Sequence, residues 1–309
     1  MTNHLSSRPE SDVCAVVVTY RPQLELLHDV ISSVRGQVGR LLVFDNNTQD
    51  PLLDTYFREL QNTSVAVVER SSINIGLAAA MNWAADHARN HGFAHLLLLD
   101  QDSRPDLDMV ETLKTALLQL QCTDSIAAVG PQFRDRRTGY VAPFVRIGFP
   151  VSQKILGGPG QHVRCDFLIS SGSLIPLDSF DYVGPMDEHL FIDNVDLEWC
   201  FRAKYRGMTV YGICDAGMQH SIGDTLRPSR LVAGGFKIHQ PTRLYYIMRN
   251  RVLLYGRKET PPVWITQDIP RLILKFLGTL IFLSHKKAYL RAMAKGIWDA
   301  LRGKSGRMS

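Results

Sequence analysis

With 309 residues, 45% hydrophobic and 21% charged, the chain has the composition of a globular protein with room for one large α/β domain, or one domain with a helical appendage. Its 35 Lys and Arg exceed its 30 Asp and Glu by only five, and no nucleic-acid-binding motif accompanies the basic residues, so a sequence-specific nucleic-acid partner is excluded. The five cysteines, Cys14, Cys122, Cys165, Cys200 and Cys214, are odd in number and lack CxxC spacing, which argues against zinc and a disulfide framework and for a reducing cytoplasm.

Residues 1–12 lack the apolar core of a signal peptide and are expected to be flexible. Val13 to Thr19 is a β-branched run, predicting a strand that turns at Tyr20-Arg21-Pro22 into a helix over Leu24 to Arg35. A second buried strand is expected at Arg40 to Phe44, ending in Asp45-Asn46-Asn47-Thr48. Strand, helix and strand with polar exits form the first half of a doubly wound nucleotide-binding sheet. Asp45 is then placed to accept a hydrogen bond from a base or ribose, unless it merely closes an Asx-turn. A third strand is expected at Val65 to Val68, and Asn74 to Asn82 opens a small-residue helix that Gly92 stops.

His95 to Pro105, HLLLLDQDSRP, organises the rest. Four consecutive leucines predict a strand buried on both faces, which delivers Asp100-Gln101-Asp102 to a strand's carboxyl end, where open α/β sheets bind ligands. Two carboxylates aimed at one small volume call for a cation, and a divalent metal carrying a diphosphate would supply it. The competing reading makes Asp102 the cap of a helix starting at Ser103-Arg104-Pro105.

A helix over Leu107 to Leu120 and a strand over Ile126 to Val129, closed by Gly130-Pro131, follow; Arg134 to Gly160 reads as irregular or hairpin structure. Phe167 to Pro176 sets Ser170, Ser171, Gly172 and Ser173 between apolar runs, permitting close backbone approach to a sugar or diphosphate. Phe191 to Arg202 is a second acidic cluster, with a helix from about Asn194 whose Leu197, Cys200 and Phe201 face the core. Glu198 and Arg202 read as a surface ion pair, whereas Asp193 and Asp196 read as functional. A strand over Val210 to Ile213 leads to His220 in a polar loop, a reasonable metal ligand, and Arg249 in the helix Arg243 to Tyr255 suits a diphosphate. Beyond Pro261-Pro262, the segments Ile269 to Leu283 and Ala288 to Leu301 predict amphipathic helices with basic flanks, lying on a membrane surface or packed on the body of the protein.

Together VVVTYRP (Val16 to Pro22), DNNT (Asp45 to Thr48), NIGLAAAMN (Asn74 to Asn82), LLLLDQDSRP (Leu96 to Pro105), FLISSG (Phe167 to Gly172), FIDNVDLEW (Phe191 to Trp199), HSIGD (His220 to Asp224) and YYIMRN (Tyr245 to Asn250) resemble the family 2 glycosyltransferases, and within them the bacterial rhamnosyltransferases. The resemblance implies an α/β GT-A domain over 13–258, a Rossmann-like and mostly parallel sheet flanked by helices. Its nucleotide-binding half spans about 13–133 and its acceptor half about 134–258, and a basic helical tail follows over 259–309. It further implies that Thr19, Tyr20, Asp45, Asn74, Gly76, Asn82, Asp100, Ser171, Gly172 and Arg249 bind the nucleotide sugar, and that Asp102 and His220 hold Mg²⁺ or Mn²⁺. The family's usual base position carries Asn194 here, which shifts the base to Asp193 or, second, Asp196.

The expected reaction is inverting transfer of L-rhamnose from dTDP-L-rhamnose to a lipid-linked saccharide, as in O-antigen synthesis, by an enzyme peripheral to the inner face of the cell membrane. A rhamnolipid precursor is the alternative acceptor. A nucleotidyltransferase would want a glycine-rich basic phosphate loop, which is absent from the sequence; a non-catalytic sugar-binding protein would use the acidic clusters structurally.

Overall fold

Consecutive apolar residues in the early strands can all be buried only if both faces of the sheet are covered, and the computed structural model is built that way. It describes residues 11–220, 225–227, 236–282 and 286–308. Residues 1–10, most of the expected flexible N-terminus, and Ser221 to Asp224 of the His220 motif lie outside the described residues.

The first half runs β1 (Val13–Thr19), α1 (Leu24–Val34), β2 (Arg40–Asp45), α2 (Pro51–Asn62), β3 (Val67–Arg70), α3 (Leu77–Asn90), β4 (His95–Asp100), β5 (Arg104–Pro105), α4 (Met109–Gln121) and β6 (Ile126–Asp135). The second continues with β7 (Phe144–Arg146), β8 (Gln153–Ile155), β9 (His162–Cys165), β10 (Leu174–Pro176), α5 (Leu177–Val183), a 3₁₀ turn at Glu188–Leu190, α6 (Val195–Tyr205) and β11 (Thr209–His220). β12 (Thr225–Arg227), β13 (Phe236–Ile238), α7 (Pro241–Tyr255), α8 (Pro262–Phe282) and α9 (Lys286–Leu301) complete it.

The main sheet has the order β3-β2-β1-β4-β10-β6-β11-β5, with β9 on β11. β1 to β4 are mutually parallel, β10 enters antiparallel between β4 and β6, and β6 and β11 are parallel. Leu96 and Leu98 pack with α3, α5 and α6 on one face, while Leu97 and Leu99 pack with α1, α2 and α4 on the other. Four leucines in a row are thus used two each way, as period-2 geometry requires.

Three expectations need correction. β3 starts two residues later than the apolar run. β6 does not close at Gly130-Pro131 but continues to Asp135, across the expected change-over near residue 133, because Pro131 lies beside the irregularity where β11 skips from Ile213 to Gly217. Ser103 to Pro105 starts no helix: Arg104–Pro105 pairs with Gln219 and Met218 of β11, which excludes Asp102 as a helix cap there.

The last three helices carry their own apolar contacts. Leu244, Ile247 and Met248 of α7 meet Met293 of α9 and Leu272 and Phe276 of α8. α7 and α9 approach so closely at Gly296 that a Cβ there would fall 2.4 Å from the Tyr245 carbonyl oxygen. No helix among the described residues is long and apolar enough to cross a membrane.

Candidate active site

The parallel strands β1, β2 and β4 end together at Thr19, Asp45 and Asp100, so backbone pairing alone collects these side chains along one edge. At β4 the chain turns through Gln101 and Asp102, and Gln101 Oε1 accepts the Tyr20 backbone N–H at 2.8 Å, tying the β1 exit to the acidic turn. The β5–β11 pairing then brings the end of β11 alongside. His220, expected in a loop, is the last residue of that long strand and only 7% exposed.

His220 Nδ1 lies 3.5 Å from Asp102 Oδ1 and its Nε2 lies 3.7 Å from Asp100 Oδ2. One ligand atom from each of the three residues falls within 4.8 Å of the others. Burial pushes the Asp102 carboxyl above its ordinary range, and the charge of Asp100 adds to that, against His220 and Arg243. Two carboxylate oxygens and an imidazole nitrogen converging in a site that penalises uncompensated negative charge fit a divalent cation. Behind them Ser103 Oγ meets both Ser171 Oγ and His220 Nδ1, and Ser171 Oγ accepts the Asp100 backbone N–H at 3.3 Å. Ser171 is buried and Gly172 donates its N–H to the Leu98 carbonyl, so this loop braces the cluster from the protein side.

The second acidic segment is held differently. Phe191, Asp193 and Asn194 all have positive φ, 65°, 63° and 63°, a conformation that costs free energy and persists only where its surroundings impose it. The imposing group is α7. The Asn250 amide nitrogen lies 2.8–2.9 Å from the carbonyl oxygens of Leu190, Ile192 and Asp193. Arg249 donates to the carbonyls of His189, Leu190 and Gly306, with Tyr245 and Tyr246 against its guanidinium. Arg249 is 0% exposed, which corrects its expected diphosphate contact: its donors face protein carbonyls, and it builds the turn that carries Asp193. Asp193 itself pairs with Arg243 Nε at 3.1 and 3.3 Å. Asp196 Oδ2 accepts the Ser170 N–H at 3.1 Å, and burial lifts its carboxyl to about 6 despite that bond.

Other predicted residues are turned to local tasks. Asp45 is 0% exposed and accepts from Thr19 Oγ1, the Thr48 N–H and Arg70 Nε, which is the Asx-type arrangement rather than a base or ribose contact. Thr19 is likewise 0% exposed, holding Asp45 instead of facing a ligand. Asn82 bonds Met186 and Glu188, fixing the approach to the acidic turn. Asn74 Oδ1 accepts the Gly76 N–H, and a Cβ at Gly76 would lie 2.7 Å from the Phe191 carbonyl oxygen; the glycine, with φ of 92°, admits protein backbone at that point. Tyr20, 44% exposed, remains open. Beside Asp45 an open cleft of about 680 Å³ is lined by Asn47, Thr48, Asp54, Arg70 and Ser71. Glu198 and Arg202 do pair, at 2.8 Å, but Glu198 is 4% exposed and also meets Arg257, so the pair is interior.

Sequence reasoning passed over Ser103, Arg243 and Asn250. Ser103 stood inside the DQDS string, and Asn250 closed YYIMRN; Arg243 had no local signal beyond its helical position.

A Rossmann-like, mostly parallel sheet flanked by helices, with an Asp-x-Asp pair at the carboxyl end of a central strand, defines the GT-A class of glycosyltransferases. Solved structures share the fold: GalNAc-T7 with UDP, GalNAc and Mn²⁺, TM-score 0.58 at 13% identity over 96% of this chain and 59% of that one, and S. aureus TarS 1-349 with UDP-GlcNAc, TM-score 0.58 at 13% identity over 93% and 81%. This chain therefore spans less than two thirds of the GalNAc-T7 chain. Residues 14–169 match the model of glycosyl transferase family 2. The dTDP-rhamnosyl transferase RfbF of Shigella flexneri is 30% identical over 301 residues, 96% of this chain and 97% of that protein. The chain belongs to glycosyltransferase family 2 and is an enzyme of sugar transfer.

Proposed function

We propose that this enzyme transfers L-rhamnose from dTDP-L-rhamnose, with inversion, to a hydroxyl of a lipid-linked saccharide during synthesis of a cell-surface polysaccharide of the O-antigen type. The observation that carries the chemistry is the convergence of Asp100, Asp102 and His220 beside Asp193 and Asp196. Similarity to a dTDP-rhamnosyl transferase along nearly the whole chain supports the donor.

Asp100, Asp102 and His220 hold Mg²⁺ or Mn²⁺, which when bound supplies positive charge to the departing diphosphate. Tyr20 offers an aromatic face at the edge where the nucleotide lies, and the cleft at Asn47 to Asp54 offers the base its space. Asp193, oriented by Arg243, takes the proton of the acceptor hydroxyl; the oxygen attacks the anomeric carbon as its bond to dTDP breaks, the electron pair leaving with the diphosphate oxygen. One displacement inverts the anomeric centre. On this reading Asp193→Asn abolishes transfer and leaves dTDP-rhamnose affinity, measured by calorimetry, nearly unchanged, since the base acts on the acceptor in the transition state. Normal transfer would move the role to Asp196, and lost donor binding would put Asp193 in the donor pocket.

The membrane part of the reading rests on α8, a helix with apolar residues on both its inner and its outer face. Its inner face carries Asp268, Leu272, Lys275, Phe276 and Thr279, and Asp268 and Thr279 are 1% and 3% exposed. Its outer face carries Ile269, Ile273, Leu274 and Leu277, at 43–65% exposure, with Arg271 at the margin and Lys286, Lys287 and Arg291 exposed beyond. A stripe of that kind suits the acyl boundary of a bilayer, with the bases on anionic headgroups. Full-length protein is expected to bind phosphatidylglycerol vesicles at low salt and release them as salt rises, each surface base contributing on the order of 1 kcal/mol. Protein that stays in solution with such vesicles at low salt would refute the membrane part.

A further inference from the structure

The inner face of α8 sets a cation, Lys275, between the apolar residues Leu272 and Phe276 that pack on α7. Lys275 sits there half-buried, on the same face as Asp268, seven residues before it. Across from it α7 presents Arg243 and Arg251, two turns apart on one face. Arg243 is joined to Asp193, and Arg251 is joined to Asp268. The charges of Arg251, Arg243, Asp193 and Asp268 all act on the Lys275 ammonium. Three cations therefore stand with two carboxylates, each carboxylate paired to an arginine, and Lys275 has no ion-pair partner among the described residues. The Nε of Arg251 is buried and makes no hydrogen bond.

A half-buried ammonium next to two guanidinium groups is held at a cost, because burial removes water and the like charges repel. Desolvation, and then the charge of Arg251, lower Lys275 to about 8. An anion with several acceptor oxygens would reverse that penalty and fill the open Arg251 donor. The place is as informative as the charge. It lies between Asp193, where the acceptor hydroxyl reacts in our reading, and the outward apolar stripe Ile269 to Leu277 on the opposite face of the same helix.

We propose that Lys275, Arg251 and Arg243 form an anion pocket for the phosphate or diphosphate that joins the acceptor's saccharide to its lipid. The pocket measures the acceptor: the apolar chain stays along α8 in the bilayer, the phosphate is gripped on the helix's inner side, and the sugar hydroxyl reaches Asp193. This rests on the lipid-linked acceptor proposed above, and names the group by which that acceptor is recognised.

The probe is farnesyl diphosphate, titrated by calorimetry into full-length protein in detergent, without donor and without turnover. Wild-type protein is expected to bind it, and to bind farnesol at least about tenfold more weakly. Lys275→Met should weaken farnesyl diphosphate at least about tenfold, Lys275→Arg should retain most of the affinity, and dTDP affinity should be the same in all three proteins. Equal affinity of wild type for farnesol and farnesyl diphosphate would overturn the pocket without any variant being needed. So would undiminished affinity in Lys275→Met, a parallel fall in dTDP affinity, which would assign the cations to the donor, or a loss confined to phosphatidylglycerol vesicles, which would assign them to membrane headgroups. Because no sugar is transferred in this experiment, its failure leaves the rhamnosyl-transfer reading standing, and failure of transfer to a lipid-linked saccharide leaves the phosphate pocket standing.

Discussion

The two acidic sites of this enzyme are made by opposite means. Asp100 and Asp102 sit at the end of β4, and their placement follows from a strand fastened on both sides, parallel to β1 and antiparallel to β10, and covered on both faces. Asp193 and Asp196 sit at a helix start entered through a left-handed turn, and that turn is fixed by side chains reaching from α7, more than fifty residues later. The first site is rigid because of repetitive backbone bonding, the second because a few long-range side chains hold it. A substitution in the first should therefore act on charge alone, and one in the support of the second should act on geometry.

The largest effect expected is at the ladder's end. Asp102→Asn keeps shape and removes one of two converging charges, and turnover should fall by at least about a hundredfold, the scale of several kcal/mol of lost charge stabilisation. Steady-state kinetics with and without excess EDTA check this; full activity of the wild type in EDTA would sink the metal site.

An intermediate effect is expected at the clamp. Asn250→Ala removes the amide that lies against three carbonyls; those of Ile192 and Asp193 lose this donor at a cost of roughly 1–3 kcal/mol each, while the Leu190 carbonyl keeps Arg249. Transfer should drop about tenfold or more, with a lower melting temperature and intact dTDP affinity. If dTDP affinity falls as far as transfer, the contrast between a ladder-built donor side and a clamp-built acceptor side is broken.

The smallest effect concerns Asp196. Its carboxyl is lifted from 3.8 to about 6 by burial, so the folded state binds the proton more tightly than the unfolded chain. Its contribution to stability is present in full below about pH 4 and is lost as pH rises through about 6. Asp196→Asn, which cannot ionise, should raise the melting temperature at pH 7 by a few degrees and leave it unchanged near pH 3.5. A gain equal at both pH values would remove ionisation as its cause.

The sequence by itself determined the first half of the molecule in some detail. The runs Val13 to Thr19 and His95 to Asp100 were legible as doubly buried strands because consecutive apolar residues have one economical solution in a parallel sheet, and the acidic turn followed from where the strand had to end. Gly76 and Asn82 were legible as special positions, but not their purpose, since the backbone of Phe191 and the loop at Met186 to Glu188 approach them from over a hundred residues away. The tertiary structure alone decided that Asp45 faces inward to Thr19, Thr48 and Arg70, that β11 extends far enough to seat His220 between two carboxylates, and that Arg249 grips carbonyls. It also decided that α8 shows Ile273, Leu274 and Leu277 outward and keeps Leu272 and Lys275 within. Local pattern reports which residues can be buried; the partner that buries them, and hence which polar group is left to face a substrate, depends on contacts between segments that no local window contains.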